Sequence, residues 1–231
     1  MKKLNMILPT AAVFVSASLT TAVAQEEEPF PVEGNIGVTS NYVFRGVTQT
    51  GNDAAVQGGL DYGHESGLYV GTWLSNIDFA GGTELDVYGG FAGESGDFGY
   101  DIGIIGYLYP LKESDTDANF AEVYLGLAYD MFSAGVAYTV VSEVDDAAFA
   151  ANDVYFYVAG GTDITESVSI GVTLGYYTFD EDGDGDYFHG QIDLTKSTEM
   201  YGDFTFSYSQ AEESNIASDD PAFFVSWGMG F

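Results

Sequence analysis

Arg45 is the only arginine in this chain, and it stands against 36 aspartates and glutamates. It sits in a stretch, Asn35 to Val47, whose residues alternate. Ile36, Val38, Tyr42 and Phe44 share one parity; Gly37, Thr39, Asn41 and Arg45 share the other. Successive side chains of a strand point to opposite faces, so this reads as one strand with an apolar and a polar face. A guanidinium on the polar face needs water, a carboxylate, or both. Asp61, Glu84, Asp86, Asp101, Glu122, Asp193 and Asp203 also lie opposite the apolar residues of alternating segments. The expectation is that Arg45 pairs with Asp61 or Glu84 on a neighbouring strand. The surplus acids would bias a water-filled lumen towards cations. The plainer reading of the same residues is a hydrogen-bonded polar plug that conducts little.

Two other patterns invite chemistry. Asp180, Asp182 and Asp184, followed by Gly185 and Asp186, match the start of a calcium-binding EF-hand loop. The twelfth position is Gln191 rather than a bidentate glutamate, and the alternation resumes near Tyr187 with no flanking helix. A solvated acidic loop is the reading adopted, so no metal site is assigned. The only histidines are His64, in a tight turn, and His189, on an inward parity near a rim, with no nucleophile at matching spacing. There is no cysteine, hence no thiolate chemistry and no disulfide. The glycines sit inside alternating segments rather than ahead of helices, so they form no phosphate loop. The chain reads as a non-enzyme without a cofactor.

The elements that must position these residues are strands. Lys2 and Lys3, the apolar and small run Ile7 to Leu19, and Ala22-Val23-Ala24 have the order of a secretory signal peptide spanning residues 1–24. The apolar run is too short for a transmembrane helix, which needs about 20 residues. Residues 25–33 are an acidic, proline-containing lead-in. Loss of the leader leaves Arg45, Lys112 and Lys196 as the fixed cations. Such a chain repels nucleic acid and anionic headgroups.

From residue 34 to 231 the sequence falls into about twelve alternating segments. Their connections alternate in length. Those around Glu65-Ser66, Glu94-Ser95-Gly96, Asp130-Met131, Asp163-Ile164-Thr165 and Ser197-Thr198 are tight. Tyr109 to Asn119, Ser142 to Asp153, Asp180 to Asp186 and Gln210 to Pro221 are long and polar. Short turns on one rim and long loops on the other predict an all-β, antiparallel up-and-down transmembrane β-barrel. A soluble lipocalin-like barrel would carry its continuous apolar face inside and fewer acids opposite it. Tyr107-Leu108-Tyr109, Tyr176-Tyr177 and Tyr187-Phe188 suggest aromatic girdles. The 30 glycines suggest room for tyrosines to lie over them on the inner face.

The run Ser40 to Thr50 (Ser-Asn-Tyr-Val-Phe-Arg-Gly-Val-Thr-Gln-Thr), followed by Ala55 to Tyr62, resembles the signature of the TorF family of porin-like proteins. Gly71-Thr72-Trp73, Glu84 to Gly90, Gly99-Tyr100-Asp101 and Glu122 to Gly126 follow the same pattern in order. The resemblance implies a bacterial outer-membrane barrel acting as a porin. Phe231, with apolar residues at alternate positions before it, resembles the signal read by the barrel-assembly machinery. The expected function is passive diffusion of small hydrophilic solutes or cations across the outer membrane, with membrane lipid as the surrounding partner. The alternative is a non-conducting structural or adhesive barrel. The loops lack the long insertions of an adhesin, which favours the channel.

Overall fold

The computed structural model describes residues 32–113, 116–144, 148–180 and 185–231. Its strands are β1 (Val32–Thr39), β2 (Val43–Phe44), β3 (Val47–Thr48), β4 (Ala55–Gly63), β5 (Leu68–Asn76), β6 (Thr83–Ser95) and β7 (Phe98–Leu108), then β8 (Phe120–Tyr129), β9 (Phe132–Ser142), β10 (Val154–Thr165), β11 (Val168–Thr178), β12 (Tyr187–Thr198), β13 (Gly202–Ala211) and β14 (Ala222–Gly230). Twelve of them, β1 and β4 to β14, form one closed barrel in sequence order. Every pairing is antiparallel, and β1 closes the ring on β14 from Asn35↔Gly230 to Thr39↔Ser226. Closure leaves no free sheet edge and satisfies the ladder hydrogen bonds within the sheet.

Burial follows the alternation, but inverted relative to a soluble protein. Ile36, Val38, Leu60, Ile102, Leu174 and Phe206 are exposed on the outer face, whereas Glu84, Asp86, Asp101, Glu122 and Asp193 are buried inside. The inner face is packed through glycine. Tyr69 stands opposite Gly90 and Tyr88 opposite Gly71; Tyr124 stands opposite Gly103 and Tyr157 opposite Gly135. A Cβ on any of these four glycines would run into the facing tyrosine. Each ring therefore lies flat over its cross-strand neighbour instead of filling the centre of the lumen.

Packing is uneven along the barrel axis. Tyr107, Phe120, Tyr155, Tyr177 and Tyr187 are buried, and each lies within two residues of a strand end that meets a long loop. They form one aromatic cluster with Tyr42, Phe44, Trp73 and Phe179. Towards the short turns the inner face carries Asn35, Gly37, Gly171, Thr195 and Thr205 instead. The long-loop half is dense, and on the side of β1 and β11 to β13 the short-turn half is lined by small polar groups.

Several expectations are corrected. The stretch Asn35 to Val47 is not one strand: β1 stops at Thr39, and residues 43–48 form a separate hairpin with no partner in the barrel. Tyr42 and Phe44 therefore do not continue the exposed outer face of Ile36 and Val38; both are buried inside. The lead-in is shorter than expected, since Val32 and Glu33 already pair with Tyr62 and Asp61. Of the expected girdle residues, Tyr107, Tyr109, Tyr177 and Tyr187 point inward and are buried, and Phe188 is exposed. Outer aromatics do occur at both rims: Phe98, Tyr129, Phe132 and Tyr201 beside the short turns, Tyr138, Phe188 and Phe223 beside the long loops. Three turns lie later than expected, because β6, β10 and β12 run on to Ser95, Thr165 and Thr198.

The tyrosine–glycine pairing gives a direct test. Gly135→Val places branched atoms where the Tyr157 ring lies and should destabilise the barrel by about 1–3 kcal/mol. Urea unfolding of the detergent-solubilised protein reads this, with intrinsic tyrosine and tryptophan fluorescence as the signal.

Candidate functional site

The hairpin built by β2 and β3 follows from local chemistry. After Thr39 the chain leaves the sheet, with the Thr39 hydroxyl donating to the Asn41 carbonyl at 2.8 Å. Phe44 pairs with Val47 across the two-residue turn Arg45-Gly46. Both turn residues have positive φ, 48° and 88°, as a two-residue turn matching strand twist requires. Gly46 is also needed for space, since a Cβ there would lie 2.6 Å from His189 Cβ. The Gln49 amide donates to the Tyr42 carbonyl at 2.7 Å, and the Thr48 hydroxyl donates to Asn41 Oδ1 at 2.6 Å. The Asp78 amide, in the β5–β6 loop, donates to the Gln49 carbonyl at 3.0 Å.

This hairpin crosses the lumen. It departs between β1 and β4, yet its contacts are on walls far round the ring. The Tyr42 hydroxyl donates to Glu84 Oε1 on β6 at 2.9 Å. Arg45 Nη1 and Nη2 donate to Glu122 Oε1 and Oε2 on β8, both at 2.7 Å. The Tyr187 hydroxyl on β12 donates to the Arg45 carbonyl at 3.0 Å. Arg45 is 8% exposed and Glu122 1%, so the pair is a bidentate, buried ion pair. The guanidinium carbon lies 4.2 Å from the centre of the Tyr155 ring and 5.0 Å from that of Tyr177, favourable positions for a cation over aromatic faces. Arg45 points into the barrel because the hairpin that carries it lies inside the lumen, not through the parity of β1, and its partner is Glu122 rather than Asp61 or Glu84.

Each of the other acids has its own place. Glu122 also accepts from Tyr107 at 3.2 Å and Tyr177 at 3.4 Å. Glu84 accepts from Tyr109 at 3.1 Å as well as from Tyr42. Asp101 accepts from Tyr69 at 2.6 Å, and Tyr69 and Tyr124 share a short hydrogen bond. Asp61 accepts from Tyr88 at 2.5 Å and from Asn35 at 3.4 Å. Asp193 accepts from Ser207 at 2.6 Å and from the Gln191 amide at 3.0 Å. Asp203 lies half-buried on the inner parity of β13. Asp86 is fully buried, and neither of its oxygens has a hydrogen-bond partner. The tyrosine hydroxyls that hold the acids were invisible to parity alone, because a strand pattern gives a residue's face and not the length of its reach.

The remaining candidates resolve differently. His189 Nε2 shares a 2.9 Å hydrogen bond with the Tyr155 hydroxyl, and His64 lies exposed in its turn beside Ser66. Asp182 and Asp184 lie outside the described residues. Asp186 is engaged by the Tyr176 and Thr178 hydroxyls at 2.9 and 3.0 Å and by the Phe179 amide at 2.7 Å. Asp180 accepts from Asn152 at 3.2 Å.

Outside the barrel wall, an ion pair absent from the sequence reading ties two long loops. Lys112 Nζ lies 2.9 Å from Glu143 Oε2. The Asn119 amide and side chain donate to Glu143 at 3.2 and 2.9 Å. Lys112, together with the Asn119 amide, pulls the Glu143 carboxyl from its usual 4.5 down to about 2. A carboxyl with a depressed folded-state value stabilises the fold above its unfolded value, and that contribution fades as pH falls through the folded one.

Two tests follow. Glu122→Ala strands a buried guanidinium and should cost about 3 kcal/mol or more, whereas the double change Arg45→Met with Glu122→Leu should cost far less. Urea midpoints of the three proteins decide. For the loop clip, hydrogen-exchange protection of the Asn119 amide should fall as pH drops from 4.5 towards 2, and Lys112→Met should weaken it already at neutral pH.

Comparison with known proteins adds the following. Among solved structures, the KdgM porin aligns over 87% of this chain and 97% of its own, with a TM-score of 0.56 and 8% identity. The KdgM porin in complex with disordered oligogalacturonate gives a TM-score of 0.55, also at 8% identity, over 87% of this chain and 97% of its own. The NanC porin gives 0.50 at 11% identity, over 86% of this chain and 97% of its own. At such identities the likeness shows the fold alone. No curated protein matches. A family model described as "Bacterial protein of unknown function (Gcw_chp)" matches residues 23–223. Most of the chain being matched, this protein belongs to the Gcw_chp family.

Proposed function

We propose that this protein is an outer-membrane channel for passive diffusion of small hydrophilic solutes and ions, and that its lumen favours cations. The observation that carries the reading is the inverted burial: a continuous belt of exposed Leu, Ile, Val and Phe around a lumen of buried acids. An apolar belt this extensive is far beyond the few hundred Å² that a soluble monomer exposes, and it suits lipid. The TorF resemblance and the fold of the porins agree with the same reading. Within it, Phe231 serves as the barrel-assembly signal; its backbone exchanges two 2.9 Å hydrogen bonds with Gly34 at the β1–β14 seam.

The cation preference rests on charge. Arg45 is neutralised by Glu122, while Asp61, Glu84, Asp86, Asp101, Asp193 and Asp203 face the same interior. Lys112 is paired in a loop, and Lys196 donates to Ser167 at the short-turn rim. No lysine is paired with Asp61, Glu84, Asp86, Asp101 or Asp193 among the described residues, and their field draws cations in.

The hairpin across the lumen favours a second reading, a barrel that stays closed. Planar-bilayer recording separates the two. On the first reading the purified protein gives conductance steps selective for potassium over chloride, and Arg45→Ala enlarges them. Silence from the native protein with conduction by Arg45→Ala would establish the closed barrel. Chloride selectivity would overturn the cation preference.

A further inference from the structure

On the inner face of β12, β13 and β14 the register sets Asp193, Ser207 and Phe224 in one row across the sheet. The row borders a cavity of about 90 Å³ between the hairpin and this wall. One water needs on the order of 10–15 Å³, so the cavity has room for about six water-sized groups. Among the described residues Asp193 is the one carboxylate on its lining. The donors that hold Asp193 are the Ser207 hydroxyl and the Gln191 side-chain amide, and both are neutral. Arg45 also reaches the lining, but its terminal nitrogens are paired with Glu122 on β8. Asp193 therefore brings to the cavity a negative charge that no cation of the described residues touches.

The surroundings of Asp193 set it apart from the other inward acids. Tyrosine hydroxyls bind Asp61, Glu84, Asp101 and Glu122, whereas Asp193 is held by Ser207 and Gln191 alone. On β11, Gly171 stands directly opposite Asp193, and a Cβ added there would meet no atom within 4 Å. Space is open beside the carboxylate. On the other side, Phe224 is half-buried and stands outside the aromatic cluster of the long-loop end. Neighbouring strands are about 4.8 Å apart, so Asp193 and Phe224 lie about 10 Å apart across Ser207. A charged nitrogen over Ser207 can hydrogen-bond the carboxylate and still lie within about 6 Å of the ring.

We infer that the row Asp193, Ser207 and Phe224 is a binding site for a short primary alkylammonium ion beside the hairpin. Its N–H groups donate to the Asp193 carboxylate and to the Ser207 and Thr173 hydroxyls on the lining, and its carbon chain lies against Phe224. A neutral alcohol leaves the charge of Asp193 unmatched, and potassium leaves the ring uncovered. A quaternary ammonium has no N–H to donate. The inference deepens the cation-favouring channel reading and rests on it for a path, but binding itself is measurable without conduction. The acidity of the lumen acts on all cations at a distance, whereas this row selects among them at contact.

The test is calorimetric titration of the full-length protein in detergent, at constant ionic strength, with propylammonium, tetramethylammonium, potassium, 1-propanol and propionate. Saturable binding of propylammonium is expected, with each of the others at least tenfold weaker. Asp193→Asn, the same shape without the charge, should weaken propylammonium about 10–100-fold, the worth of hydrogen bonds to a charged group. Phe224→Leu should weaken it about 2–5-fold, the worth of a cation over a ring. If Asp193→Asn misfolds, Gly171→Leu, which fills the space beside the carboxylate, provides the same readout. No saturable binding of propylammonium overturns the inference, as does binding that Asp193→Asn leaves unchanged. Equal binding of 1-propanol overturns it in favour of an apolar pocket, and equal binding of potassium in favour of an inorganic cation site. Binding with no conductance step in bilayers would sink the channel reading and leave this site standing; conductance without binding would do the reverse.

Discussion

The buried ion pair between Arg45 and Glu122 is the contact on which the interior of this barrel depends. Removing two charges from water costs several kcal/mol per ion, and a pair repays this only with good geometry and further hydrogen bonds. Both conditions hold. The contact is bidentate at 2.7 Å, Tyr107 and Tyr177 satisfy the remaining carboxylate capacity, and aromatic rings face the guanidinium. Such a pair adds little to net stability but much to position. It fixes where a short hairpin ends inside a wide cylinder, and it makes the left-handed backbone of Arg45 tolerable by over-determining it.

The tyrosines extend that logic round the wall. A tyrosine opposite a glycine can lie along the sheet and reach an acid one or two strands away, as Tyr69 reaches Asp101 and Tyr88 reaches Asp61. The ring shields the carboxylate on one side and the hydroxyl binds it at the tip. This is how one end of the lumen becomes a packed aromatic core while the acids stay in place. Towards the short turns of β1 and β11 to β13, small polar residues line the wall instead.

Much of the architecture is legible in the residue order, and the reason is periodicity. A strand with an apolar face outward and a polar face inward must alternate, so the twelve barrel strands, their inward acids and the alternation of turns and loops could be read segment by segment. The same rule misled at Asn35 to Val47. Alternation continues smoothly from β1 into the hairpin, because Tyr42 and Phe44 are apolar for a different reason: they pack against other aromatics inside. The turn signal was present in Arg45-Gly46, flanked by Val-Phe and Val-Thr, but Arg-Gly is a less familiar pair for that turn than Asn-Gly. The aromatic pairs at strand ends were ambiguous in the same way, since an interfacial girdle and a lumen core both call for tyrosine next to a strand terminus.

Residue order alone settles the barrel and which face of each barrel strand turns inward, because both depend on parity within a single strand. The tertiary structure alone decided that Arg45 points inward to meet Glu122, 77 positions away, and that a hairpin crosses the lumen. Those outcomes depend on which strands stand across the ring from one another. Only closure of the sheet sets that distance, and no local pattern carries it.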